Sequence, residues 1–144
     1  YILDNWLEWK QQVPDLSLEI FCPPYAKTWF KHDINDLPDV KWQGSLGPEA
    51  LKREIMKAEW WIYQSEYVET YCISALEMMM GRVKLITNGP GNISNLIQGE
   101  LVDKDGVLDY IKLNKGGEWI NKSYNWAWNQ AWDNRVEDWI NLIK

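Results

Sequence analysis

Apolar positions along this chain switch repeatedly between helical and strand spacing. Ile2, Leu3, Trp6, Leu7 and Trp9 recur on one helix face and Val13-Pro14-Asp15 stops the run, so a helix is predicted over Tyr1 to Gln12. Leu16 to Cys22 alternates apolar and polar residues up to a Pro23-Pro24 break, which is the pattern of a strand. Residues 25–38 read as irregular chain or a short helix, and Val40 to Gln43 as a short strand ending at Gly44. Gly47-Pro48-Glu49 opens a helix, with proline at its first position and an acid in its first turn, that runs to about Ala58. Trp60 to Gln64 is a compact apolar strand, followed by a helix after Glu69 and a strand from Val83 to Thr87. Leu96 to Val102 reads as another short helix or strand, and Asp103-Lys104-Asp105-Gly106 as a turn. Val107 to Leu113 reads as a helix closed by Lys115-Gly116-Gly117, and residues 118–144 as one or two closing helices. Strands alternating with helices of about ten residues predict an α/β fold. The expectation is a Rossmann-like three-layer sandwich, with a parallel sheet flanked by helices.

Composition narrows the class without naming a chemistry. At 144 residues the chain is expected to form one domain, residues 1–144, with a core that needs neither disulfides nor metal. Charged residues at 25% and hydrophobic residues at 46% mark a globular protein. The net charge of −6 argues against a nucleic-acid backbone as partner. Cys22 and Cys72, far apart, read as reduced core thiols, and with His32 they cannot assemble a convincing zinc site. No apolar run approaches the ~20 residues of a transmembrane helix. The first residues, Tyr-Ile-Leu-Asp, suggest a fragment of something longer.

Residues 69–97 carry the most chemical information. Two acids, Glu69 and Glu77, stand eight residues apart around the start of an apolar helix, followed by a strand and a turn at Gly89, Pro90 and Gly91. A helix start behind a parallel strand receives anions, because its first N–H groups are unpaired and the helix dipole favours negative charge. Carboxylates beside such a site repel phosphate and are useful only when aimed at hydroxyl donors. One ligand with phosphate at one end and hydroxyls on both sides would satisfy both groups.

The segments Val40-Lys-Trp-Gln-Gly44, Ala58-Glu-Trp-Trp-Ile-Tyr-Gln-Ser65 and Glu69-Thr-Tyr-Cys-Ile-Ser-Ala-Leu-Glu77, with Leu51 between the first two, resemble the C-terminal domain of GT-B glycosyltransferases. The likeness is closest to the retaining enzymes that carry an E-x7-E motif. It spans about Leu16 to Ile97 and continues more weakly through Leu101-Val-Asp-Lys-Asp-Gly106 into the tryptophan-bearing end of the chain. The resemblance implies a nucleotide-diphosphate sugar as donor. Glu69 would be the catalytic-site acid that contacts the sugar hydroxyls, and Glu77 would accept from the ribose. The amides of Tyr71, Cys72 and Ile73 would meet the diphosphate, and Gly44, Ser45 and Leu46 would lie against the nucleobase. It implies no metal and no other cofactor. The acceptor, a glycan, lipid or protein, would come through an N-terminal domain that is missing together with the first strand and the family's donor-phosphate Arg and Lys. The fragment alone would then be inactive. The implied setting is cytoplasmic, peripheral to a membrane in the longer protein. The chain departs from the family at Cys72, where glycine is usual, at Gly81, one residue early, at Lys84, near the expected proline, and at Ser94 and Asn95, where a glutamate is usual.

Plainer readings stand beside these. The two acids can be solvated charges flanking a helix. Met78, Met79 and Met80 read as core filler, and Cys72 as a thiol at a helix start with only distant His32 as a base. Asn92-Ile-Ser and Asn121-Lys-Ser match the glycosylation pattern only. Of the eleven tryptophans, Trp119, Trp126, Trp128, Trp132 and Trp139 crowd the C-terminal third, with Trp128, Trp132 and Trp139 expected on one helical face. Core packing is the default for them; a sugar-stacking platform and a docking surface are the alternatives. The second functional class is therefore a non-catalytic α/β interaction or carbohydrate-binding module.

Overall fold

The computed structural model describes residues 1–89, 91, 100–113, 117 and 120–143. Pro90, Asn92, Ser94, Asn95, most of the Leu96–Val102 segment, Lys115, Gly116 and Trp119 lie outside them. The chain is mixed α/β with short parallel strands and several helices, and it divides into two compact units, Tyr1–Leu51 and Lys52–Lys144. The division falls within one helix.

In the first unit, α1 (Ile2–Gln12) buries Trp6 and Trp9, which are three residues apart and so share a face. The Trp6 indole also donates to the Pro38 carbonyl at 2.6 Å. Strands β1 (Leu18–Ile20) and β2 (Val40–Trp42) pair in parallel, Leu18 opposite Val40. The chain between them makes two 3-10 turns, Pro24–Trp29 and Ile34–Asp36, in the stretch that reads as irregular or a short helix. Lys10 binds the carbonyls of Pro14 and Leu16, the latter at 2.9 Å, and Asp39 at 2.7 Å. One ammonium thereby ties the end of α1 to the start of β2, and it holds the Asp39 carboxyl below its usual range. Asp39 itself sits at φ +56. The expected helix opened by Pro48 is α2 (Pro48–Ile55).

The second unit is built on a three-stranded parallel sheet in the order β3 (Trp60–Tyr63), β4 (Lys84–Thr87), β5 (Glu100–Leu101). The central strand β4 buries Leu85, Ile86 and Thr87, as a parallel strand covered on both faces does. Helix α3 (Ile73–Met80) connects β3 to β4 and buries Ala75 and Met79. It packs on β4 and on α5 (Ile120–Gln130), whose buried positions are the small residues Ser123 and Ala127. Small residues there let the two helices approach closely. Met78 and Met80 are only half-buried, so of the three methionines Met79 alone is fully packed. Gly81 is the C-cap of α3, and a Cβ there would lie 2.5 Å from Ile55 Cγ2, so a larger residue would force that side chain to shift. The unit continues with α4 (Val107–Lys112), whose Val107, Leu108 and Ile111 complete the core, and ends with α6 (Trp132–Leu142).

Candidate functional site

The carboxyl end of β3 builds the site outward from the sheet. Side chains alternate along a strand, so Trp60 and Trp61 point to opposite faces. Trp60 meets Tyr110 of α4 edge-on at 6.0 Å, whereas Trp61 and Tyr63 stack at 5.0 Å with an interplanar angle of 16°. Tyr63, the last residue of the strand, is thus held by its neighbour two residues back. Its hydroxyl donates to Glu69 Oε1 at 2.6 Å, the length of a charge-assisted bond. Burial, and then the Glu69 bond, push the Tyr63 phenol above its ordinary range.

The loop that carries Glu69 is pinned from its far side. Asn88, just past β4, accepts from the Ser65 N–H at 3.1 Å and donates to the Ser65 carbonyl at 2.8 Å, so its side-chain amide extends the ladder beyond the strands. Ser65 Oγ accepts from the Tyr67 N–H at 3.0 Å. Gln64 reaches to the chain after β5, donating to the Val102 carbonyl at 3.2 Å, while its own buried Oε1 has no partner among the described residues. Glu69 forms an isolated parallel bridge with Gly91. Gly91 has φ +63, and a Cβ there would lie 2.6 Å from the Glu69 carbonyl oxygen, so only glycine fits.

Glu69 and Glu77 bracket one buried sulfur. Cys72 caps the start of α3 and is 8% exposed. Burial is the main cause that raises its thiol pKa, and the charges of Glu69 and Glu77 both push the same way, against the N–H groups of Ala75 and Ser74. A thiol raised in this way is a poor nucleophile at neutral pH, and its burial fits the packing role. Glu77 is exposed on α3, and its carboxylate has no partner among the described residues. The Tyr71 and Ile73 side chains are exposed too, and the amides of residues 71–73 donate to no described group. The second unit therefore gathers Glu69, Tyr71, Cys72, Ile73 and Glu77 at one helix start. Gly44, at φ +74, with Ser45 and Leu46, forms the loop after β2 in the first unit.

No protein-family model matches this chain, and no curated protein is significantly similar to it in sequence.

Sequence reasoning missed Tyr63 and Asn88. Tyr63 passed as one more apolar residue of a strand, and its only signal was a polar tip at the strand's last position. Asn88 stands between the Val83–Thr87 strand and the turn that begins at Gly89 (φ +68), and residues at a strand end give no local signal of a partner twenty-three positions away. In the first unit, Phe30 to Asn35 line a cavity of about 360 Å³ beside the His32–Asp4 pair (2.9 Å), and none of the expected site residues lines it. No group of three or more His, Cys, Asp or Glu able to hold a metal occurs among the described residues, and no described helix is long and apolar enough to cross a membrane.

The tryptophans of the C-terminal third correct an expectation. Trp128, Trp132 and Trp139 do not share a helix, because extended backbone at Ala131 (ψ 145) separates α5 from α6. Trp128 stacks on Tyr124, which in turn lies 4.4 Å beneath the Arg82 guanidinium, and Trp132 leans on Trp139 at 6.2 Å. They are 51%, 75% and 54% exposed, so core packing does not account for these three.

Proposed function

We propose that this chain is the donor-binding part of a retaining glycosyltransferase, one half of a GT-B enzyme with a Rossmann-like sandwich, which transfers a sugar from a nucleotide-diphosphate sugar to an acceptor hydroxyl. The observation that carries the reading is the grouping of Glu69, Glu77 and the residue 71–73 amides at the start of α3, behind a parallel strand. In an open α/β sheet, ligands bind at the carboxyl ends of the strands. Glu69 contacts the sugar hydroxyls as the catalytic-site acid, and Glu77 accepts from the ribose. The amides of Tyr71, Cys72 and Ile73 and the dipole of α3 stabilise the leaving diphosphate as its charge develops. No metal is required for this, and a second domain supplies a glycan, lipid or protein acceptor. Because nucleotide sugars are the donors, this reading goes with a cytoplasmic setting.

Calorimetric titration with UDP, GDP and ADP tests the reading. One nucleotide should bind at roughly millimolar affinity, about −4 kcal/mol, and the heat should vanish in Glu77→Ala. Absence of heat with all three at millimolar concentrations overturns it.

A second reading, a carbohydrate-binding or interaction module without catalysis, is favoured by the exposure of Trp128, Trp132 and Trp139. Aromatic faces of that kind stack on sugar rings or partner surfaces. Glycan binding that quenches tryptophan fluorescence and survives Glu77→Ala would select it.

A further inference from the structure

We propose that Tyr63 is the positioning residue of Glu69: its hydroxyl occupies Oε1 and leaves Oε2 as the one fixed acceptor that the site offers to a ligand hydroxyl. The ligand's identity in this inference rests on the donor-site reading above; the pairing itself does not. Two contacts hold Glu69, and a third holds the donor of one of them. Its backbone is bridged to Gly91, where nothing larger than glycine fits. Its Oε1 takes the Tyr63 hydroxyl at 2.6 Å. Tyr63 in turn is a strand residue whose ring is stacked on Trp61 at 5.0 Å, so the donor cannot swing away from the acid without unstacking. Oε2 has no partner among the described residues.

A glutamate on a loop ordinarily samples many rotamers, and a ligand that binds it must order it. Here the ordering precedes the ligand, so the affinity for a hydroxyl donor is higher than a mobile carboxylate would give. The polarity of the bond selects the ligand class. Tyr63 remains a donor throughout the neutral range, because burial first, and then the bond to Glu69 and its charge, keep the phenol protonated against the opposing Ser65 bond. Glu69 is consequently held as an acceptor. A neutral polyhydroxy group can donate to it, whereas a phosphate oxygen is repelled.

Two measurements on the whole chain test the inference. The first is ultraviolet absorbance titration of tyrosinate in wild type, Tyr63→Phe and Glu69→Gln. The step missing from Tyr63→Phe should titrate above the ordinary tyrosine value in wild type and move down in Glu69→Gln. An unmoved step overturns the pairing, and a merely space-filling tyrosine would produce that result. The second is calorimetry with UDP, GDP and ADP and with the glucose conjugate of each. Tyr63→Phe should weaken the sugar conjugate about tenfold, or about 1.4 kcal/mol, while changing the bare diphosphate less than about twofold. Equal loss for both, or loss for neither, overturns the positioning role. Failure of every nucleotide to bind wild-type protein rejects the donor-site reading, and the absorbance titration then still decides the Tyr63–Glu69 pairing.

Discussion

The two parallel sheets of this protein treat the polar groups at their strand ends in opposite ways. Around the β1–β2 pair, polar groups are used up inside the fold. The Trp6 indole bonds the Pro38 carbonyl, the Trp42 indole bonds the Cys22 carbonyl at 3.0 Å, and Lys10 serves three acceptors at once. At the carboxyl end of β3–β4, internal bonds fix the loop yet leave acceptors over. Tyr63 and Asn88 hold Glu69 and Ser65 in place, while Glu69 Oε2 and the whole Glu77 carboxylate stay unengaged by described residues. Completed bonding stabilises, and rigidly held spare capacity is what a binding site needs. The same alternation of strand and helix thus produces a closed end in one unit, chiefly at the amino end of its strands, and an open carboxyl end in the other.

The sharpest way to break the comparison is to damage the closed end. Trp6 is 1% exposed and large, so Trp6→Ala removes its packing and strands the Pro38 carbonyl. We expect a loss of about 3–5 kcal/mol in the first unit, read as lost hydrogen-exchange protection over residues 1–51 with protection of β4 retained. Loss of protection in both units together would show that the two sheet ends are not independent.

The open end should respond more mildly to Gly91→Ala. The substitution asks an alanine to adopt φ +63 with its Cβ on the Glu69 backbone, which costs about 1–3 kcal/mol. Because that strain falls on the loop rather than the core, protection should drop over residues 65–72 and the Tyr63 phenol should titrate closer to its ordinary value. Asn88→Ala removes two bonds to Ser65 and should cost about 1–2 kcal/mol over the same loop. A wild-type exchange pattern in both variants would mean that the loop owes its order to something other than these pins.

What could be read from residues alone follows the same division. Strands β3 and β4 were legible because a buried parallel strand is a short apolar run, and the two acids were legible because their spacing around a helix start is local. The pins were not. The Tyr63–Glu69 bond spans six residues across a loop, a separation with no helical or strand period, and the Asn88–Ser65 pair spans twenty-three. Such bonds exist only once the sheet has formed. Two closing helices were among the alternatives, but the position of the break was hidden, because Ala131 carries neither the proline nor the glycine that usually marks one. Exposure of Trp132 and Trp139 follows from that break, since α6 buries none of its residues. Periodicity identifies an apolar face without saying what, if anything, covers it.

The smallest effect measures the open end most directly. The charges of both acids act on Cys72, whose thiol is raised above its ordinary range by burial first, with Glu69 and then Glu77 adding to it. The sign follows from linkage. A thiol that holds its proton more tightly when folded contributes stability below its ordinary value, and that contribution fades as pH rises through the folded one. Thiolate alkylation of Cys72 at mildly alkaline pH should therefore be slower in the folded chain than in denaturant. Neutralising a flanking charge should release part of that suppression. Glu69→Gln is expected to speed alkylation about two- to fivefold and Glu77→Gln by less, because the charge of the exposed Glu77 is better screened by water. Should Glu77→Gln have the larger effect, the acid closer to the sulfur would be Glu77, and the partnership of Tyr63 with Glu69 would no longer describe the charge that governs this helix start.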